Sequence, residues 1–198
     1  NGNEVIKVVP ASNAIWDGAG NLASTTQSNN TASFNEEKIR EVTSKEHDTS
    51  YGIYNSIVKV DDDTYALAYY GSNYGYMQTF TIPADGTSIT EVKSVNLGYR
   101  YGEYNSLVHV SGSTYALAHS RTSNYSNQGY IKTFTISADG STITQVSSLE
   151  HDANLGEYNS LVKVDSNTVA LAYSGNGGNG YIKTFTIPSS GASITEVS

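Results

Sequence analysis

The sequence predicts an all-β protein made of small antiparallel sheets, on three observations. Strand-favouring residues are abundant, with 16 Tyr in 198 residues beside many Thr, Ile and Val. Turn-forming Gly, Asn and Ser separate them in short clusters. The third observation is a repeat. Tyr54-Asn55-Ser56-Ile57-Val58-Lys59-Val60 returns as Tyr104-Asn105-Ser106-Leu107-Val108-His109-Val110 and as Tyr158-Asn159-Ser160-Leu161-Val162-Lys163-Val164. The copies begin 50 and 54 residues apart. Self-similarity at such a period marks a repeat architecture.

The elements follow in order along each copy. The triplet opens a first strand that is apolar at nearly every position, as in a sheet covered on both faces. A tight turn, Ser111-Gly112-Ser113 in the second copy, leads to an Ala-Leu-Ala run: Ala66-Leu67-Ala68, Ala116-Leu117-Ala118 and Ala170-Leu171-Ala172. Alternation of large and small side chains there suits sheets packed face to face. An aromatic strand comes third, over 76–82, 130–136 and 181–187. After a turn such as Ala138-Asp139-Gly140, the fourth strand begins at Ile89, Ile143 and Ile194. It is the most polar, as an outer edge strand should be. In the second copy the four strands are expected at 104–110, 114–120, 130–136 and 142–149, with the longest loop from Arg121 to Gly129.

A degraded fourth copy is expected at the front. Ile39-Arg40-Glu41-Val42 and Glu46-His47-Asp48 match Ile143 to Val146 and Glu150-His151-Asp152 at one constant offset. Val5-Ile6-Lys7-Val8 matches Leu161 to Val164. The organisation is therefore one repeat domain over 1–198: a diverged blade or cap at 1–48 and clear repeats at 49–98, 99–152 and 153–198.

Four antiparallel strands in about 50 residues, in tandem, describe a propeller blade. On the Tyr-Asn-Ser triplet, the Ala-Leu-Ala run and the Thr-Phe-Thr-Ile strand, the chain resembles the tandem β-propeller blade repeats of secreted and surface-exposed microbial proteins. Neither a WD dipeptide nor a kelch double glycine is present. The resemblance implies a β-propeller-like array with an extracellular or cell-surface location. Such sheets must cover their apolar faces, so closure into a ring or self-association, as a homo-oligomer or a linear assembly, is expected.

Composition excludes several functions. Lys and Arg number 11 against 19 Asp and Glu, a net charge of −8, which argues against nucleic acid. No apolar run reaches the roughly 20 residues that span a bilayer, so membrane insertion is not expected. Zero cysteines remove thiol nucleophiles, thiolate metal sites and disulfides. No nucleophile elbow, phosphate loop or His-Glu-x-x-His occurs. No catalytic residue, metal or cofactor is therefore assigned.

Candidate binding residues come from the repeat. Tyr54, Tyr104 and Tyr158, with Asn55, Asn105 and Asn159, place aromatic faces beside amides, a pattern suited to surface glycans; the structural alternative fills the space between blades. Lys7, Lys59, His109 and Lys163 recur in the first strand and would ring an anion-attracting axis, or else lay their stems between blades. Asp61-Asp62-Asp63 reads as a solvated hairpin, since the other copies lack it. Glu46-His47-Asp48 and Glu150-His151-Asp152 read as surface loops. Asn29 and Asn124 begin glycosylation sequons. The function expected is a structural, adhesive or assembly module without catalysis. A multivalent carbohydrate-binding propeller is the alternative, and a propeller glycosidase or lyase a third reading.

Overall fold

A computed structural model describes residues 4–7, 31–34, 40–122 and 126–197. Contacts divide the chain into Asn1–Glu41 and Val42–Ser198. In the first unit, β1 (Glu4–Lys7) pairs antiparallel with β2 (Thr31–Phe34), Glu4 opposite Phe34. Residues 40–46 form no strand, so the fourth-strand copy expected from Ile39 to Val42 is not one where it is described. Ile39, Asn29 and Asn124 lie outside the described residues.

The second unit is three four-stranded antiparallel sheets. The first sheet contains β3 (Ile53–Lys59), β4 (Thr64–Gly71), β5 (Tyr74–Thr81) and β6 (Thr90–Tyr99). The second contains β7 (Tyr101–Ser111), β8 (Thr114–Thr122), β9 (Asn127–Ile136) and β10 (Ile143–Asp152). The third contains β11 (Glu157–Lys163), β12 (Thr168–Ser174), β13 (Gly180–Thr186) and β14 (Thr195–Val197). Strands pair in chain order in every sheet, a meander that short turns make with no crossover. This is a β-propeller-like array.

The Ala-Leu-Ala run explains the stacking. Alternate residues of a strand point to opposite faces. Ala66 and Ala68 therefore face the second sheet, where they meet Leu107, Tyr115, Leu117, Phe134 and Ile136. Ala116 and Ala118 face the third sheet in the same way, against Leu161, Val169, Leu171 and Phe185. Each small pair admits the large side chains of the next sheet. The outer strands β6 and β14 are mostly exposed and β10 is half so, as their polarity predicts.

Hydrogen bonds repeat between sheets. The Thr79 hydroxyl donates to Gly140 O at 2.7 Å, and the Thr133 hydroxyl to Gly191 O at 2.7 Å. The inner strands are joined likewise: Leu107 N–H donates to Ser56 Oγ at 2.9 Å and Leu161 N–H to Ser106 Oγ at 2.8 Å.

Candidate functional site

The start of the inner strand concentrates the chemistry. Three segments share a Gly-x-Tyr-Asn-Ser pattern: 52–56, 102–106 and 156–160. Register slips between Ile53 and Ser56, Glu103 and Ser106, and Glu157 and Ser160. Two inner-strand residues there oppose one on the neighbour, which is a β-bulge. Its first extra residue is left-handed: Tyr54 has φ 56°, Tyr104 51° and Tyr158 52°. A non-glycine there costs on the order of 1–2 kcal/mol, so surrounding contacts must hold it. Bulges re-aim side chains, and these aim three phenol rings at one another. Ring centroids lie 4.6 Å apart for Tyr54–Tyr104 and 4.5 Å for Tyr104–Tyr158.

The asparagines lock this stack. Asn105 Nδ2 donates to Tyr54 O at 3.1 Å, and Asn159 Nδ2 to Tyr104 O at 3.3 Å. Each also caps its own turn, on Gly102 O and Gly156 O. Close backbone approach demands the glycines below. A Cβ on Gly129 would fall 2.9 Å from Gly156 Cα and 2.4 Å from His151 Nε2.

Two carboxylates occupy equivalent positions beside these bulges. Glu103 and Glu157 immediately precede Tyr104 and Tyr158, one on each of two adjacent inner strands; Ile53 holds that position in the first sheet. Asn127 Nδ2 donates to Glu157 Oε1. The Tyr104 phenol is raised by burial first, then by hydroxyl bonding with Tyr54 and Tyr158, then by the charge of Glu157. Burial first, and the Glu103 carboxylate next, raise the phenol of Tyr70, whose ring meets Tyr51 at 6.1 Å. Each carboxylate thus has a phenol beside it, a pairing of charge and aromatic ring of the kind that orients a sugar.

Beneath lies a buried imidazole layer. His119 is fully buried and stacks on Tyr130 at 6.0 Å. Burial, then the Lys132 charge, lower it to about 3. His151 packs on Tyr173 at 4.6 Å and is only 4% exposed. Burial lowers it to about 4. Both are neutral at pH 7. The surface-loop expectation therefore fails for His151 because its ring fills the space under two glycines. Asp48 is a turn cap, accepting from Tyr51 N at 2.9 Å and Ser50 N at 2.8 Å. Those bonds hold its carboxyl below the usual range.

The other predicted residues sit elsewhere. Lys59, His109 and Lys163 lie towards the far end of the inner strands. Lys59 and Lys163 are exposed, and His109 Nε2 lies 2.9 Å from Gly112 O in a hairpin turn. Asp61 to Asp63 are exposed. Among the described residues no cluster of three or more metal-ligating side chains forms. Sequence reasoning overlooked Glu103 and Glu157. The signal was the position before the triplet, the place where otherwise matched copies differ in kind.

No protein-family model matches the chain. No curated protein matches it. Solved structures do. A Penicillium chrysogenum α-L-arabinanase, complexed with arabinobiose, is 15% identical over 74% of this chain and 50% of its own, with a TM-score of 0.50. A Fusarium graminearum α-L-arabinofuranosidase with an iminosugar inhibitor is 15% identical over 68% of this chain and 45% of its own, TM-score 0.47. A Schwanniomyces occidentalis fructofuranosidase with fructose is 13% identical over 73% and 33%, TM-score 0.46. The chain thus spans half or less of the length of each. All three are β-propellers.

The arabinanase corrects two expectations: a structural, adhesive or assembly module, and no enzyme activity. Both rested on closely matched repeats that carry no recognised catalytic motif. The arabinanase carries a carbohydrate-cleaving activity on the same propeller fold. The inference from matched repeats fails physically because regularity belongs to the apolar strands, whereas catalysis needs only a few unlike side chains at their ends. What the likeness itself establishes is the fold, a β-propeller-like array of antiparallel sheets.

Proposed function

We propose that the chain is a carbohydrate-processing propeller, or part of one, that hydrolyses furanoside linkages where its inner strands begin. In this reading each sheet is one blade of a tandem array, and the protein is exported to meet a polymeric substrate. The observation that carries the reading is the placement of Glu103 and Glu157 on neighbouring inner strands, Glu157 near the hydrogen-bonded Tyr104 and Glu103 near Tyr70. Glycoside hydrolysis uses two carboxyl groups: one protonates the leaving oxygen, and the other activates water or attacks the anomeric carbon. Glu157, held by Asn127 Nδ2, is the fixed member of the couple. Tyr158, 66% exposed, offers a ring face to the sugar. The arabinanase and fructofuranosidase likenesses suggest arabinan and fructan as the polymers to try. Lys59, His109 and Lys163 have no part in this chemistry.

The test incubates the full chain with linear arabinan and with levan, and follows released reducing sugar. Turnover of one polymer is expected. Glu103→Gln and Glu157→Gln should each lower it by a hundredfold or more, as loss of a general acid or base does. Absence of turnover on both polymers, or turnover unchanged in both variants, would overturn the reading.

A further inference from the structure

The first sheet carries aromatic rings at positions where the other sheets do not. Tyr70 lies opposite Ile53, while the residues opposite Glu103 and Glu157 are Ser120 and Ser174. Tyr74 stands two residues before Tyr76, which stacks on Tyr69; Gln128 and Asn179 stand two before Tyr130 and Tyr181, whose rings stack alike. Tyr99 follows Gly98, the partner of Gly75, whereas Ala153 follows Asp152, the partner of Gly129. Positions that are serine, amide or alanine in other sheets are therefore tyrosine here.

These rings are gathered and open to solvent. Tyr51 is 48% exposed, Tyr74 38% and Tyr99 53%. Tyr51 meets the Tyr70 ring at 6.1 Å, and Tyr74 meets the Tyr99 ring at 5.5 Å. Tyr70 senses both pairs: burial first raises its phenol, then Glu103, then Tyr51 and Tyr99. The Arg100 guanidinium lies 5.2 Å from the centre of the Tyr99 ring, within cation–π range. The backbone beneath is fixed. Ser72 and Asn73, both at positive φ, make a two-residue hairpin turn, the kind that matches strand twist. Arg100 N–H donates to Asn73 O at 2.7 Å. That bond ties the β4–β5 turn, flanked by Tyr70 and Tyr74, to the β6–β7 corner beside Tyr99.

Several large rings left in water on a rigid support mark a binding surface. A phenol has an apolar face and a polar tip, and a sugar ring divides in the same way into a C–H face and a hydroxyl edge. Tyrosine also loses little side-chain freedom when it makes contact. The net charge of −8 disfavours an acidic polymer. Glu103, acting on Tyr70, links the cluster to the carboxylates of the hydrolase reading. We propose that Tyr51, Tyr74 and Tyr99 form a platform that holds a segment of a neutral polysaccharide chain away from the bond being cleaved. The inference rests on the hydrolase reading for the choice of polymer, but binding at the platform requires no turnover.

Native gel electrophoresis of the full chain through linear arabinan or levan reads binding alone. One of the two polymers should retard the protein. The double variant Tyr74→Ala with Tyr99→Ala, on exposed side chains, should keep the parent's circular dichroism and bind that polymer roughly tenfold more weakly, as the loss of two ring contacts implies. Tyr74→Phe with Tyr99→Phe keeps the rings and should keep most of the binding. Retardation by neither polymer would overturn the proposal. So would an alanine variant that binds as the parent does, or a phenylalanine variant that loses as much as the alanine one. A parent that ignores both polymers but self-associates, with the alanine variant monomeric, would assign the rings to protein contact instead. Binding that the alanine variant loses, in a chain that cleaves neither polymer, would uphold the platform and remove only the hydrolase reading.

Discussion

Replacing Tyr104 separates what its ring contributes from what its backbone costs. Tyr104→Ala removes a ring that lies 4.6 Å from Tyr54 and 4.5 Å from Tyr158. Two aromatic contacts of about 0.5–1.5 kcal/mol each are lost, while φ stays at 51°. Tyr104→Gly loses the same contacts but relieves the left-handed strain, on the order of 1–2 kcal/mol. Against that, glycine gives up about 0.5–1 kcal/mol more chain entropy than alanine. The net expectation is that both variants are destabilised and that glycine is the more stable by about 0.5–1 kcal/mol. The usual order within a strand is the reverse. Urea unfolding followed by far-ultraviolet circular dichroism measures both midpoints. Alanine more stable than glycine would refute the claim that the bulge holds Tyr104 left-handed.

Two further outcomes follow from the inter-sheet bonds and the buried imidazoles. Ser106→Ala leaves the Leu161 N–H, now bonded to Ser106 Oγ at 2.8 Å, without its acceptor, and should cost about 1–3 kcal/mol in the same unfolding assay; a loss below half of that would mean the hydroxyl is not the acceptor. His119 and His151 are lowered to about 3 and about 4 in the folded chain, against an unfolded value near 6.5. The unfolded chain takes up protons first, so stability present above about pH 6.5 is lost as pH falls towards 4 and below. The double variant His119→Phe with His151→Phe should flatten the dependence of melting temperature on pH between 7 and 5, and an unchanged slope would remove the histidines as its cause.

The fold was legible because its signals are local and threefold. Alternation in Ala66-Leu67-Ala68 states which residues face the next sheet, and the structure uses it that way. Polar outer strands needed no tertiary information. The bulge was not legible. Tyrosine is an unlikely left-handed residue, and nothing in Gly-x-Tyr-Asn-Ser announces a positive φ until the Asn105 and Asn159 bridges are seen. His151 was misread for a related reason. Its sequence neighbours are Glu150 and Asp152, which suggest solvent, but its burial is decided by Gly129 on β9 and Gly156 just before β11. A one-dimensional reading weighs the wrong neighbours wherever burial comes from between sheets.

Conservation of the triplet within the chain drew attention to the tyrosines and asparagines as ligands, and the physics assigns them first to the frame. Asn105 and Asn159 spend both amide protons on backbone carbonyls. Ser56 and Ser106 accept the next sheet's N–H. Groups engaged in this way in every joint must be alike in every copy, because each joint is the same joint. A reacting site has the opposite requirement, since acid and base must differ in partner or surroundings to differ in protonation. The place to look is therefore where copies agree in geometry and disagree in chemistry. Position 53/103/157 satisfies both conditions: the same bulge follows it in each sheet, yet it holds Ile once and Glu twice. The two glutamates also differ from each other, since Glu157 accepts a hydrogen bond from Asn127 while Glu103 lies near the phenol of Tyr70. An array built of matched sheets thereby acquires two unlike carboxylates without disturbing any contact that holds the sheets together.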